Sequence, residues 1–334
     1  IFGCPFIRGS IHKPGDGTIL IAALQTIGGL VLLLGGAEIL VRGAVGLAER
    51  VGVSKMVIGM TIVAFGTSAP ELVVSLDAAL TGVPGLAVGN IVGSNIANIL
   101  LIIGATAMIL PFATKSDGSA SDSMVMIVGT LSFVGLCYFG MLGKMAGIIL
   151  VVLFVAFLVY SWWRERSSDS PRADDVDAVP HSIPVAVAML FGGIAGVVFG
   201  ADILVEGAVF VARAVGVSEA AIGLTLVAFG TSVPELATSV VAALRRHADV
   251  ALGNIVGSNM FNMLGIGGVV SLVTDLPVEQ SFMTFDLPVV LLATLMLIVM
   301  MWAGRTIGRV VGVGFLGFYT YYILAQFYAI KPVL

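Results

Sequence analysis

Charge is scarce in this chain. Of 334 residues, 16 are Lys or Arg and 20 are Asp or Glu, so charged positions make up 11%, against roughly 25% in an ordinary soluble domain. Apolar side chains fill the deficit, at 58% of the total with a mean hydropathy of +1.10. A soluble fold of this length could not hide that much apolar surface. The net charge of −4 is too small to argue for a nucleic-acid partner. There are only two cysteines, Cys4 and Cys137, and neither sits in a CxxC pair, which speaks against a disulfide framework or a thiolate metal centre. The three histidines, His12, His181 and His247, all fall in polar segments, so a histidine-ligated zinc site within a membrane has no ligands to draw on.

What the chain has instead is apolar stretches of about 20 residues, the length that crosses the hydrocarbon of a bilayer. Ten can be read, at about 18–44, 52–80, 86–111, 121–142, 144–163, 183–211, 216–244, 249–274, 281–303 and 307–328. Only Leu142, Gly143 and Lys144 part the fourth from the fifth. Residues 164–182 are the most polar segment, with Arg164, Glu165, Arg166, Asp169, Arg172, Asp174, Asp175 and Asp177. This segment is too short for a domain and reads as an acidic, solvated linker. Residues 1–17, IFGCPFIRGSIHKPGDG, lack the basic start and apolar run of a signal peptide and read as a disordered lead-in. The expected plan is a lead-in (1–17), a first five-span unit (18–163), the linker (164–182) and a second five-span unit (183–334).

The two units are copies. AEILVRGA at 37–44 recurs as ADILVEGA at 201–208, and residues 59–104 align without a gap on 223–268, an offset of 164 throughout. Of those 46 aligned positions 27 are identical. Composition bias cannot produce this, because the matches include Gly66/Gly230, Thr67/Thr231, Pro70/Pro234, Glu71/Glu235, Asn90/Asn254 and Asn98/Asn262. Five spans per copy is an odd number, so the second copy enters the bilayer from the opposite face, an architecture that recurs in secondary transporters. Loop charge agrees with that count. With the N-terminus outside, the cytoplasmic loops and adjoining ends carry eleven Lys and Arg and the other side five, as the positive-inside rule requires. The expected fold is an all-α integral membrane protein of ten transmembrane helices in two inverted five-helix repeats, N-out and C-out.

Two motifs in each copy are expected to break their helices. They are GTSAPE (66–71) with GTSVPE (230–235), and GNIVGSN (89–95) with GNIVGSN (253–259). Glycine and proline weaken helical hydrogen bonding there, and freed carbonyls at membrane depth persist only where protein or a watery cavity satisfies them. Glu71 and Glu235 lie midway along apolar spans, where one charge costs at least ~2.5–3.5 kcal/mol. No Lys or Arg lies in the middle of the four repeat-core spans, so a bound cation is the counter-charge. Thr67, Ser68, Ser94, Asn98 and their partners Thr231, Ser232, Ser258 and Asn262 supply neutral oxygens. Carboxylates with hydroxyl, amide and carbonyl oxygens suit hard ions, Ca²⁺ or Na⁺. The competing readings are a protonated structural Glu bonded to a neighbouring helix, and glycines that serve close helix packing. Packing and ion contact stand level for Gly89 and Gly93. Glu38 and Asp202 recur near span ends and read as interfacial anchors, and Asp77, opposite Val241, as a span-end charge.

At these residues the sequence resembles the calcium/cation antiporter superfamily, in particular its prokaryotic sodium/calcium exchanger branch. The resemblance is carried by AFGTSAPE…GNIVGSNIAN and AFGTSVPE…GNIVGSNMFN and covers the ten-span body. It implies alternating access in which a sliding helix pair moves against a core. It implies that Glu71 and Glu235 coordinate Ca²⁺ with backbone oxygens at Thr67 and Thr231. Sodium sites would add the Ala64 and Ala228 carbonyls and the side chains of Ser68, Ser94, Ser232 and Ser258, with Asn98 and Asn262 completing the centre. Many relatives carry Asp where this chain has Asn262, including the potassium-requiring branch, which turns the expectation away from potassium dependence.

The function expected is exchange of Ca²⁺ for Na⁺ across a prokaryotic cell (inner) membrane. The transported ions are the only ligands, with no cofactor, no nucleic acid, no obligate protein partner and no enzymatic activity. A proton-coupled cation antiporter is the nearest alternative. A cation channel would use the same acids around a through-pore. An intramembrane hydrolase would need a His or Lys partner for a nucleophile, paired Asp, or a metal-binding His set, and the spans lack His.

Overall fold

The computed structural model describes residues 16–114, 119–166, 182–214 and 230–329. Residues 1–15, most of the linker (167–181) and the first part of the seventh span with Ala228 lie outside the described residues.

The chain is helical apart from four two-residue strands among the described residues. The first copy opens with α1 (Asp16–Val51), followed by α2 (Lys55–Ile58), a π-helical turn at Gly59–Val63, α3 (Ala64–Thr67) and α4 (Ala69–Leu80). Next, α5 (Pro84–Ile96) runs through a π turn at Ala97–Ile102 into α6 (Ile103–Ile109), and β1 (Phe112–Ala113), α7 (Ser119–Cys137), β2 (Met141–Leu142) and α8 (Lys144–Arg166) complete the copy. The second copy gives α9 (Ile183–Ala214), α10 (Val233–Leu244), α11 (Ala248–Met260), a π turn at Phe261–Ile266, α12 (Gly267–Val273) and β3 (Leu276–Pro277). A π turn at Phe282–Asp286, α13 (Leu287–Trp302), β4 (Thr306–Ile307) and α14 (Arg309–Ala329) follow.

Six of these helical stretches are long and apolar enough to cross a bilayer, and the bent pair Lys55–Thr67 with Ala69–Leu80 makes a seventh. Ser121–Cys137 and Val233–Leu244 are apolar but shorter. Large side chains such as Leu24, Val31, Val152, Val159, Phe191 and Phe199 stay more than half exposed. A soluble protein does not present faces like these, and lipid covers them.

The helix breaks fall differently from the sequence expectation. The first motif does break. Ser68 sits at φ −88°, ψ 9° between α3 and α4, and the two segments meet at 45°. Pro70 lies in the first turn of α4, where its missing N–H leaves no bond unmade. GNIVGSN, by contrast, is unbroken in both copies, since α5 and α11 run straight through it. The irregularity comes one residue after Ile96, as a π turn that carries Asn98, and again as a π turn that carries Asn262. In the second copy the glycines of the motif serve packing, whereas in the first Gly89 makes only ordinary contact with Phe282 and Gly93 has nothing within 4 Å. A Cβ on Gly253 would stand 2.5 Å from the Met56 carbonyl oxygen, and one on Gly257 would stand 2.2 Å from that of Met60. The fifth span also runs past its expected end, to Arg166, and Arg164 forms an ion pair with the buried Asp122 rather than belonging to a solvated linker.

The two copies meet through their first helices. α1 and α9 pack along their whole lengths, and glycines seven residues apart make the contact. A Cβ on Gly29 would lie 2.4 Å from Leu204 N, one on Gly36 2.6 Å from Val197 N, and one on Gly43 2.6 Å from Leu190 N. As numbers rise along α1 they fall along α9, so equivalent helices of the two copies run antiparallel. Small residues let the backbones approach this closely, the usual basis of helix association in lipid. The strands repeat the exchange. β1 pairs antiparallel with β4, and β2 with β3, so each copy's fourth-span entry is tied to the other copy's fifth.

A candidate cation site between the two copies

Glu71 and Glu235 each occupy the third position of a helix that starts at the break, α4 and α10. There the unpaired N–H groups and positive end of the helix favour an acid. Both side chains are buried, at 1% and 0% exposure. They face each other closely enough to repel, and Glu71 also faces the hydroxyls of Thr231 and Ser232. No ion pair to either Glu occurs among the described residues, and no third His, Cys, Asp or Glu joins them in a metal-sized cluster there.

Bonds from the first copy reach into the second. Ser68 Oγ donates to Glu235 Oε1 at 2.6 Å, Thr67 Oγ1 to Asn254 Oδ1 at 3.2 Å, and Asn98 Nδ2 to Asn259 Oδ1 at 3.1 Å. Around them lies a set of buried oxygens without a hydrogen-bond partner among the described residues: Glu71 Oε2, Glu235 Oε2, Asn98 Oδ1, Asn262 Oδ1, Thr231 Oγ1, Ser232 Oγ and Ser258 Oγ. Leaving such groups unsatisfied in a protein interior is costly. Two carboxylates with amide and hydroxyl oxygens make a donor set suited to a hard cation.

The residues singled out from the sequence converge here. Thr67, Ser68, Ser94, Asn98, Ser232, Ser258 and Asn262 are all buried, and Thr231 is half-buried. Ser94 and Ser258 sit on α5 and α11, the helices packed along α4 and α10. Ala64 is buried, and its carbonyl already accepts the Ser68 N–H at 3.0 Å and the Thr67 hydroxyl at 3.4 Å. Ala228 lies outside the described residues.

Sequence reasoning passed over a supporting shell. Asn90 Nδ2 donates to the Glu71 carbonyl at 3.1 Å and to Ser75 Oγ at 2.9 Å. Asn254 Nδ2 makes the equivalent pair, to the Glu235 carbonyl at 3.5 Å and Ser239 Oγ at 3.2 Å. Each amide grips the backbone of the acid on the adjacent helix and so sets its height. The signal was available, since Asn90/Asn254, Ser75/Ser239 and Asn95/Asn259 all recur at the offset of 164. A second recurrence, Asp122 with Asp286, falls outside the aligned motif. Both are buried, Asp122 bonded to Arg164 and Asp286 to Tyr322 and Gln326. They join neighbouring helices, α7 to α8 and the start of α13 to α14.

Glu38, read from the sequence as an interfacial anchor, ties α1 to α10. It pairs with Arg42 one turn on, at 2.6 Å, and with Arg245 at the end of α10, also at 2.6 Å.

Comparison with known proteins agrees with this geometry. The family model described as sodium/calcium exchanger protein matches residues 21–163 and 185–328, which correspond to the two copies. The sodium/calcium exchanger MaX1 of Methanosarcina acetivorans is 32% identical over 90% of this chain and 97% of its own length. The inner membrane protein YrbG of Escherichia coli is 34% identical over 95% of this chain and 99% of its own. Among solved structures, the sodium-calcium exchanger NCX_Mj soaked with zero Na⁺ and Ca²⁺ superposes with a TM-score of 0.82 at 32% identity, covering 92% of this chain and 99% of that one. The duplicated motifs, the site between them and these matches together assign the chain to the sodium/calcium exchanger protein family.

Proposed function

We propose that the protein is a secondary active antiporter that exchanges Ca²⁺ for Na⁺ by alternating access. The observation that carries this reading is the facing pair Glu71 and Glu235, buried at 1% and 0% exposure in a shell of otherwise unpaired oxygens. In this reading the carboxylates, with Thr67, Thr231, Asn98 and Asn262, hold Ca²⁺. Ser68, Ser94, Ser232, Ser258 and the carbonyls of Ala64 and Ala228 extend the shell for Na⁺. One divalent ion or several monovalent ions offset the same two negative charges, and an empty charged site is costly to carry through a low-dielectric core. The transporter therefore switches when loaded, which couples one ion to the other.

The architecture we propose is ten transmembrane helices in two inverted repeats, supported by the antiparallel packing of α1 on α9 and by the exchanged strand pairs. The loop-charge bias supports N-out and C-out in a prokaryotic cell membrane. The two sides of the site differ. α10 lies against both α1 and α9, whereas α4 scarcely touches either. With the N-terminus outside, the closed α1–α10 side faces the cytoplasm and the parted α9–α4 side faces out.

The test is uptake of radioactive calcium by proteoliposomes under a sodium gradient and, separately, a proton gradient. Uptake should follow the sodium gradient. Uptake driven by the proton gradient alone would transfer the assignment to a proton-coupled antiporter, and steady conductance without counterflow would point to a channel.

A further inference from the structure

The bonds that join the copies across the site all run one way. Thr67, Ser68 and Asn98 of the first copy donate to Asn254, Glu235 and Asn259 of the second. Shifting each residue by the repeat offset gives a mirror set: Thr231 to Asn90, Ser232 to Glu71, and Asn262 to Asn95. The Thr231–Asn90 and Asn262–Asn95 bonds are not made, and Ser232 lies beside Glu71 without a hydrogen bond of normal geometry. Thr231 Oγ1, Ser232 Oγ and Asn262 Nδ2 on the donor side, and Glu71 Oε2 and Asn95 Oδ1 on the acceptor side, have no hydrogen-bond partner among the described residues. The hydroxyls of Thr231 and Ser232 nevertheless face Glu71.

The same asymmetry extends to the helices. On the side where α1 meets α10, Glu38 bridges Arg42 and Arg245. The mirror positions of these three residues are Asp202, Glu206 and Thr81, which offer no such clamp, and α9 and α4 are parted there. Two homologous copies in different conformations define a second state, in which each adopts the other's conformation. In that state the α9–α4 side closes, and the mirror donors and acceptors are the atoms brought together.

Resting on the antiporter reading, we propose that Asn90, Asn95, Asn254 and Asn259 are positioning residues of a two-position hydrogen-bond switch. Asn254 and Asn259 accept bonds in the state seen here, and Asn90 and Asn95 accept their mirror bonds in the state with the other side closed. A polar group unpaired in one state is paired in the other, so neither state leaves all of them buried and unsatisfied. The competing view is that the unpaired atoms serve ions alone. On that view, losing Asn95 or Asn259 would change ion affinity without moving the ion-free equilibrium.

The experiment reads the conformation directly. Spin labels go at Ile39, exposed on α1 beside Glu38, and at Leu244, exposed at the end of α10 next to Arg245, in the full chain with Cys4→Ser and Cys137→Ala, without Na⁺ or Ca²⁺. Pulsed dipolar spectroscopy then separates apposed from parted helices. A typical net hydrogen bond corresponds to about fivefold in a two-state ratio. Asn259→Ala should raise the parted fraction about fivefold, and Asn95→Ala should not raise it, lowering it wherever it can be measured. A rise in both variants, or no rise with Asn259→Ala, overturns the switch. Should either variant fail to fold, the mirror pair Asn254→Ala and Asn90→Ala is read by the same criterion. This readout needs no transport, so it separates failure of the switch from failure of the antiporter assignment.

Discussion

At the scale of single residues, the site combines two acids that repel with a ring of neutral donors. Ser68 is the sharpest case, because its 2.6 Å bond to Glu235 spans the two copies and its oxygen belongs to the proposed sodium shell. In the proposed shell that oxygen must turn from Glu235 to the ion, so Ser68→Ala removes a sodium ligand and should raise the sodium concentration needed for half-maximal exchange in the proteoliposome assay. An unchanged sodium dependence would remove Ser68 from the shell. This scale was the most legible in the sequence. Glu71, Glu235 and their oxygens stood out because a charge in an apolar span needs a partner, and because every one of them recurs. The recurrence of Asn90 and Asn254 was legible, but the grip their amides make on the backbone was not. An amide can bond to ion, backbone or neighbour equally well, and only packing decides between them.

At the scale of elements, the α1–α9 contact depends on glycine. A side chain at Gly36 would begin 2.6 Å from the Val197 nitrogen and the Gly196 carbonyl carbon, which no rotamer can relieve. Overpacking of this kind costs about 1–3 kcal/mol in a core. Gly36→Leu should lower the thermal unfolding midpoint in detergent by several degrees, whereas Gly35→Leu, with nothing within 4 Å, should leave it in place. Arg245→Ala is expected to do little to the same midpoint. Its pair with Glu38 is close to half exposed on the arginine side, and exposed pairs are worth about 1 kcal/mol or less. The sequence located the break in GTSAPE, where Gly66 and Pro70 flank Ser68. It suggested a second break in GNIVGSN that does not occur. Glycine lowers helix propensity and also permits close packing, and at Gly253 and Gly257 packing against Met56 and Met60 prevails.

At the scale of the whole molecule, duplication supplies both the site and its asymmetry. One copy cannot build the donor set, because Ser68 serves Glu235 and Thr67 serves Asn254. The offset of 164 announced the duplication. It could not announce which cross-copy bonds are made, since two identical motifs are symmetric on paper and only a folded state chooses between them. The measurement that bears most directly on the central claim is calcium binding to the purified protein by titration calorimetry, in sodium-free detergent solution, for the parent chain, Glu71→Gln and Glu235→Gln. Saturable binding by the parent, lost in both variants and displaced by added sodium, is the predicted result. Undiminished calcium binding in either variant would contradict a site built on both carboxylates.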